Sequence, residues 1–311
     1  MSFVEKCPRY KVFFFCFLLF VAIAENAHAE DTLTGTLHTM NPRPIGLGGT
    51  LRASPSGTTG IYMNPAVLAM VPLYHIELMY QYTGEEQKHM GGLAVVDSIT
   101  TFIAAGLAFN YSGIRQQRTE HDEFDGRLAL SGGIGDVFFI GLTGRYIHVE
   151  QNKSSNKWGP IGKPALPASG SQQVDGFTFD AGTAFRLGDV VTLGVVGYNL
   201  SNTGSVFAPL ELGGGVGLHL LKMLLIEVNG VVDFTSHTDP AWDLHFGTEL
   251  FLARRVAIRA GYIYDIYYNL HTVTAGLGYV DTHFSLDVGF QHEIIEEGRM
   301  LLAFGFKYFI N

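Results

Sequence analysis

Thiols are almost missing from this chain. Of its 311 residues only Cys7 and Cys16 are cysteine, and both lie close to the N-terminus. The remainder has no disulfide framework and no thiolate metal site. Charge is scarce as well: Asp, Glu, Lys and Arg together make up 16%, the formal net charge is −9, and no basic cluster occurs. That excludes the electrostatic footprint of a nucleic-acid binder. Long apolar runs are also absent after Ala24, where none approaches the roughly 20 residues of a bilayer-spanning helix. Yet 47% of the residues are hydrophobic. An apolar surplus that never gathers into long runs must be spread residue by residue.

The N-terminus reads as an export leader. Lys6, Arg9 and Lys11 precede an apolar core from Val12 to Ala24, and Ala27-His28-Ala29 offers a small-x-small cleavage site before Glu30. The core is too short to span as a helix. Residues 1–29 are therefore expected to be a cleaved signal peptide, which would carry both cysteines away.

Beyond it the dominant signal is alternation with period two. Tyr74, Ile76, Leu78, Tyr80 and Tyr82 fall on one face, against His75, Glu77, Met79 and Gln81 on the other. The same pattern returns with Ile103, Leu107, Phe109 and Tyr111, and again with Phe177, Phe179, Phe185 and Leu187. It recurs from Leu224 to Phe234, Trp242 to Leu252, Val256 to Tyr264 and Phe284 to Phe290. Weaker candidates lie near 90–97, 125–133, 136–150, 190–201, 212–221 and 270–281, and a last strand runs from Met300 to Ile310. The expectation is an all-β fold: a transmembrane antiparallel β-barrel of about 14 strands over residues 73–311. Tight turns (Leu187-Gly188-Asp189, Ala253-Arg254-Arg255) contrast with the long stretch from Gln151 to Val174, as expected of a barrel with short periplasmic turns and longer outer loops. The final strand, with Gly305, Tyr308 and Ile310, resembles the C-terminal signal read by the barrel-assembly machinery, an expected partner during biogenesis. The setting implied is the bacterial outer membrane, with its lipid as the surrounding partner.

Residues 30–72 do not alternate. Gly, Pro, Ser and Thr crowd them, so the backbone there is irregular. Irregular backbone cannot face lipid, and a plug inside the barrel is the economical placement. Here Gly46, Gly48 and Gly49, a small polar stretch, and then Asn64, Pro65, Ala66 and Leu68 resemble the entry pattern of FadL/TodX-type outer-membrane proteins. The resemblance covers about thirty residues, and related PorV-like barrels share it. The stretch between its two halves has Ser54, Ser56, Thr58 and Thr59 where the family commonly has an acidic pair. What the resemblance implies is passive uptake of long-chain fatty acids or other hydrophobic small molecules, with the N-terminal segment as hatch. The alternative it leaves open is a structural barrel supporting a surface or secretion complex.

Candidate lumen-lining residues are Met79, Glu227, Asp243, Glu249, Phe251, Arg259, Ile263 and Leu277. Glu227, Asp233, Asp243, Glu249, Arg259, Asp287 and Lys307 are candidates for an ionic network bracing the barrel. Histidines are frequent, but none pair at metal-ligand spacing. Gly46-x-Gly48-Gly49 lacks the third glycine and the Lys-Ser/Thr of a phosphate cradle, and no local set of nucleophile and base stands out. No catalytic residue, metal or cofactor is expected, and the chain reads as something other than an enzyme.

Overall fold

The computed structural model describes residues 41–84, 87–116, 119–151, 174–205, 207–294 and 298–310. The expected leader and residues 30–40 of the expected plug lie outside these. Fourteen strands form one closed antiparallel barrel, each paired with its sequence neighbours and β1 with β14. They are β1 (Tyr74–Thr83), β2 (Lys88–Asp97), β3 (Ala104–Gln116), β4 (Thr119–Ile134), β5 (Phe138–Gln151), β6 (Val174–Leu187) and β7 (Val191–Tyr198). The circle continues with β8 (Glu211–Leu220), β9 (Leu224–Asp233), β10 (Ala241–Leu252), β11 (Val256–Asp265), β12 (Leu270–Val280), β13 (Phe284–Glu293) and β14 (Met300–Phe309). Register is unbroken in every ladder; across β2–β3, for example, the pairs run one for one from His89↔Gly113 to Asp97↔Ala105. Closure satisfies the backbone without leaving an edge strand.

The alternation in the sequence becomes an inside and an outside. Leu78 and Tyr80 of β1 are exposed on the outer face, while His75, Glu77, Met79 and Gln81 are buried on the inner one. Leu107 and Phe109 of β3 point out, whereas Ala104, Ala108, Asn110 and Ser112 point in. A wall apolar outside and polar or small inside is the inverse of a water-soluble core. It suits hydrocarbon around a wet or filled lumen.

The two rims differ. Turns of three residues (135–137, 188–190, 221–223, 253–255 and 281–283) and the six-residue connection 98–103 close one rim, where β1 begins and β14 ends. Longer connections, 199–210 and 234–240 among them, belong to the opposite rim.

Candidate functional site: a plug seated in the lumen

Residues 41–70 fill the inside of the barrel as a short, irregular disc. Helix α1 (Pro42–Ile45) has proline at its first position, where the missing N–H costs nothing, and Gly46 closes it by donating to Pro42 O at 3.1 Å. Gly48 and Gly49 then take left-handed φ of 66° and 68°. A second helix, α2 (Thr59–Met63), leads to a 3-10 turn over Pro65–Ala69. Asn64 caps that turn: its Oδ1 accepts from Ala66 N at 3.1 Å, while its Nδ2 donates to Arg52 O at 2.8 Å and to Thr183 O of β6 at 3.2 Å. Pro65 follows in the first position, as at α1.

These motif residues meet a belt of inward-facing glycines on the wall. A Cβ added to Gly261 would lie 2.3 Å from Gly48 N, one on Gly247 2.5 Å from Leu47 O, and one on Gly141 2.4 Å from the Pro65 carbonyl carbon. On Gly194 it would come within 2.1 Å of Arg52 O, and on Gly289 within 2.4 Å of Pro42 O. Backbone thus rests on backbone at β5, β7, β10, β11 and β13, a fit only glycine allows. Gly48 N donates to Thr274 Oγ1 at 2.8 Å, and His245 Nδ1 donates to Gly48 O at 2.7 Å. Between these contacts the apolar side chains of the plug, Leu47, Leu51, Ile61, Met63 and Leu68, pack on Met79 and on the small inward residues Ala94, Ala104, Ala108 and Ala129. The glycines and Asn64-Pro65-Ala66 are therefore seating points.

Charge ties the plug down as well. Lys307 lies between Asp287 (3.2 Å) and Glu77 (3.5 Å), Arg259 reaches Asp287 at 2.7 Å and Glu249 at 2.6 Å, and Arg43 of the plug completes the chain on Glu249 at 2.7 Å. Burial opposes the Arg43 charge, but the Glu249 carboxylate outweighs it and holds the guanidinium above its ordinary pKa. Beside Lys307, Glu77 also accepts from Thr58 and from Asn41 Nδ2. A second cluster lies across the lumen. Asp125 receives Arg127 at 2.8 Å and Arg145 at 2.9 Å, and the Arg127 guanidinium sits 5.0 Å over the ring of Tyr62. Burial pushes the Tyr62 phenol up, so it stays neutral and donates to Asn110 Oδ1.

The structure distributes the candidate lumen residues as follows. Met79 is buried against the plug, and Glu227 accepts from Ala53 N of the plug at 3.0 Å. Glu249 and Arg259 belong to the ionic chain with Asp287 and Lys307. Ile263 approaches Gly49. Asp243 and Phe251 are half-buried at inward positions of β10, one near each rim. Asp233 stands apart from the network and instead accepts from Thr235 N and Ser236 N. Leu277 is a correction. It is 44% exposed and pairs with the outward Ile258 and Val288, while its neighbours Gly276 and Gly278 face in beneath Gly46 and Arg259. Leucine cannot occupy an inner position there because the plug backbone and a guanidinium already do. Arg43, Asp125, Arg127 and Arg145 did not stand out in the sequence. Asp125 and Arg127 do alternate with Phe124 and Leu128, which was the available signal.

No family model and no curated protein matches the sequence. The fold, by contrast, is shared. The CymD monoaromatic hydrocarbon channel superposes with a TM-score of 0.67 at 10% identity, covering 88% of this chain and 98% of that one. The Pseudomonas putida toluene transporter TodX gives 0.64 at 14% identity, covering 89% and 99%. A Pseudomonas aeruginosa FadL homologue gives 0.62 at 14% identity, covering 90% and 99%. The chain has the FadL/TodX-type fold. In this FadL/TodX-type barrel the entry pattern read from residues 46–68 is the part of the chain that seats the plug.

Proposed function

We propose that this protein is an outer-membrane barrel for passive uptake of hydrophobic small molecules, with residues 41–70 as its movable stopper. The observation that carries the reading is the combination of a closed barrel, apolar outside, with an N-terminal segment lodged in its lumen on the FadL/TodX plan. The long-loop rim is the entry side and the short-turn rim faces the periplasm.

Within that class, the outer half of the lumen favours an uncharged ligand over a fatty acid. Among the described residues, inward positions there carry Glu123, Glu211, Asp233, Asp243, Asp265 and Glu293, against Lys88 and Arg299 as cations. Lys88 is held by Glu123 at 3.1 Å and Arg299 by Glu293 at 3.5 Å. A ligand carboxylate entering this vestibule meets net negative charge; a neutral hydrocarbon does not. The alternative, a structural barrel for a surface or secretion complex, draws on how closely the plug is packed. It differs in requiring that the stopper never move.

The test is mass-spectrometric analysis of organic extracts from protein purified in a non-lipid detergent, paired with flux into liposomes. A co-purifying neutral hydrophobe and flux of a monoaromatic hydrocarbon support uptake. No bound hydrophobe and no flux count against it and favour the structural role.

A further inference from the structure

Tyr-x-Tyr followed after six residues by His occurs twice in the chain, as Tyr80, Tyr82 and His89 and as Tyr262, Tyr264 and His271. The fold gives both copies the same place. Each lies on a hairpin whose turn, 84–87 or 266–269, belongs to the long-loop rim. Tyr82 pairs with His89 across β1–β2, and Tyr264 pairs with His271 across β11–β12. In the first copy Tyr80 OH is 2.7 Å from His89 Nδ1, and the Tyr82 ring lies 5.1 Å from the imidazole. In the second, Tyr262 OH is 2.5 Å from His271 Nδ1, and the Tyr264 ring stacks at 4.9 Å with its plane within 6°. All six side chains are on the outer face, because Gln81 and Ile263 between the tyrosines take the inner one.

The phenol on Nδ1 couples the role of the other ring nitrogen to which partner donates. A neutral imidazole that accepts the phenol O–H carries its own hydrogen on Nε2. An imidazolium donates from Nδ1 to the phenol oxygen and keeps Nε2–H as well. In these two states, unlike the neutral tautomer whose Nδ1–H donates to the phenol oxygen, each dyad presents one Nε2–H donor that no described residue accepts. His292 of β13 lies on the same arc, beside Val273 of β12. From β11 round to β2, no described outward residue near this rim is a carboxylate. Elsewhere on the rim the pattern is the reverse: Tyr111 donates to Asp122, and Tyr146 donates to Asp175 at 2.7 Å. Among the described outward residues, one arc of the rim offers donors where the other holds anions.

We propose that the arc carrying His89 and His271 docks phosphate-bearing lipid headgroups of the outer leaflet, with Nε2–H of each histidine donating to phosphate oxygen. The dyads stand directly above outward apolar residues of the strands that carry their tyrosines, Leu78 and Ile76 of β1 and Ile258 of β11. A lipid satisfies both with one molecule, headgroup on the dyads and acyl chains on the wall below; a free anion gains nothing from the second. The placement rests on the membrane location in the uptake reading.

The test uses the full chain in non-ionic detergent and native mass spectrometry with added diphosphoryl lipid A. Wild type is expected to retain the lipid, and the double variant His89→Phe/His271→Phe to lose about tenfold in retention, the size of lost charge-assisted hydrogen bonds. Tyr80→Phe/Tyr262→Phe keeps every ring and frees Nδ1, and is expected to lose part of it; this pair carries the test if the histidine variant fails to fold. Inorganic phosphate should not compete. Unchanged retention in folded variants, or displacement of the lipid by inorganic phosphate, overturns the proposal. Membrane fractionation separates this from the uptake reading: variants that reach the outer membrane but retain lipid normally sink the docking surface alone.

Discussion

Arg43 grips Glu249 with two edges of its guanidinium, Nε to Oε2 at 3.0 Å and Nη2 to Oε1 at 2.7 Å. The first residue belongs to the plug and the second to the wall, 206 positions later in sequence. Because Glu249 also binds Arg259, and Arg259 binds Asp287, the plug is the last member of an alternating chain of charge that starts at Lys307. Nearly buried and bidentate, the pair is costly to break from one side only.

Arg43→Ala should therefore destabilise the seated plug by about 2–4 kcal/mol, leaving Glu249 with one cation where it had two. Single-channel recordings in planar bilayers should show frequent openings that wild type lacks. Arg43→Ala/Glu249→Gln should be less perturbed than the sum of its single variants, since the second change removes the charge left behind. Strict additivity with silent recordings would show that the bridge does not hold the plug.

The glycine belt predicts a different lesion. An alanine Cβ at Gly141 would sit 2.4 Å from the Pro65 backbone, which has no rotamer to change, whereas Gly91 has nothing within 4 Å. Gly141→Ala should cost about 1–3 kcal/mol in overpacking, relieved by lifting the 3-10 turn off β5. Gly91→Ala should be neutral. Heat-modified gel mobility would confirm a folded barrel in both, and limited proteolysis within residues 41–70 should be faster for Gly141→Ala alone. Equal proteolysis rates would remove the belt from the seating mechanism.

What the sequence revealed and what it hid follow from how locally each property is encoded. A strand between lipid and lumen must alternate, so Leu78 against Met79 or Phe246 against Gly247 shows its two faces without knowledge of any partner. Seven of the 14 strands were legible in this way, six more only as weaker candidates between them, and the last as the run from Met300 to Ile310. The assignment failed at Leu277, where the inner positions on either side are Gly276 and Gly278 and the polar markers of that face, Thr272 and Thr274, lie further along β12. The plug's partners were hidden for another reason. Nothing near Pro65 in sequence announces Gly141, and nothing near Arg43 announces Glu249, because barrel closure alone brings them together.

The vestibule predicts selectivity by charge. Asp243 and Asp265 are directly opposed across β10–β11, both at inward positions of the outer half. Replacing both with asparagine preserves shape and removes two negative charges from the entry path. Flux of a fatty-acid anion relative to a monoaromatic hydrocarbon should rise about fivefold to tenfold, corresponding to ~1 kcal/mol of relieved repulsion. The gain should shrink at high salt, where screening already weakens the repulsion. A ratio that does not move in liposome flux assays would mean the vestibule's charge does not select the ligand.

Leu277 and Ile263 give the sharpest check on which side of the wall meets hydrocarbon. Leu277 is on the outer face of β12, whereas Ile263 of β11 faces in toward Gly49 and is half-buried in the lumen. A lysine at 277 must place its ammonium in lipid or snorkel to the short-turn rim, at about 1–3 kcal/mol for a position between midplane and interface. A lysine at 263 can reach the acidic vestibule, where Asp243 and Asp265 receive it. Reversible folding into lipid vesicles should show Leu277→Lys strongly destabilised and Ile263→Lys little changed. The Leu277→Lys penalty should also fall as the bilayer is thinned with shorter acyl chains, because snorkelling becomes easier, while Ile263→Lys should not respond. The opposite ordering would place Leu277 in the lumen and invert the assignment of faces along β12.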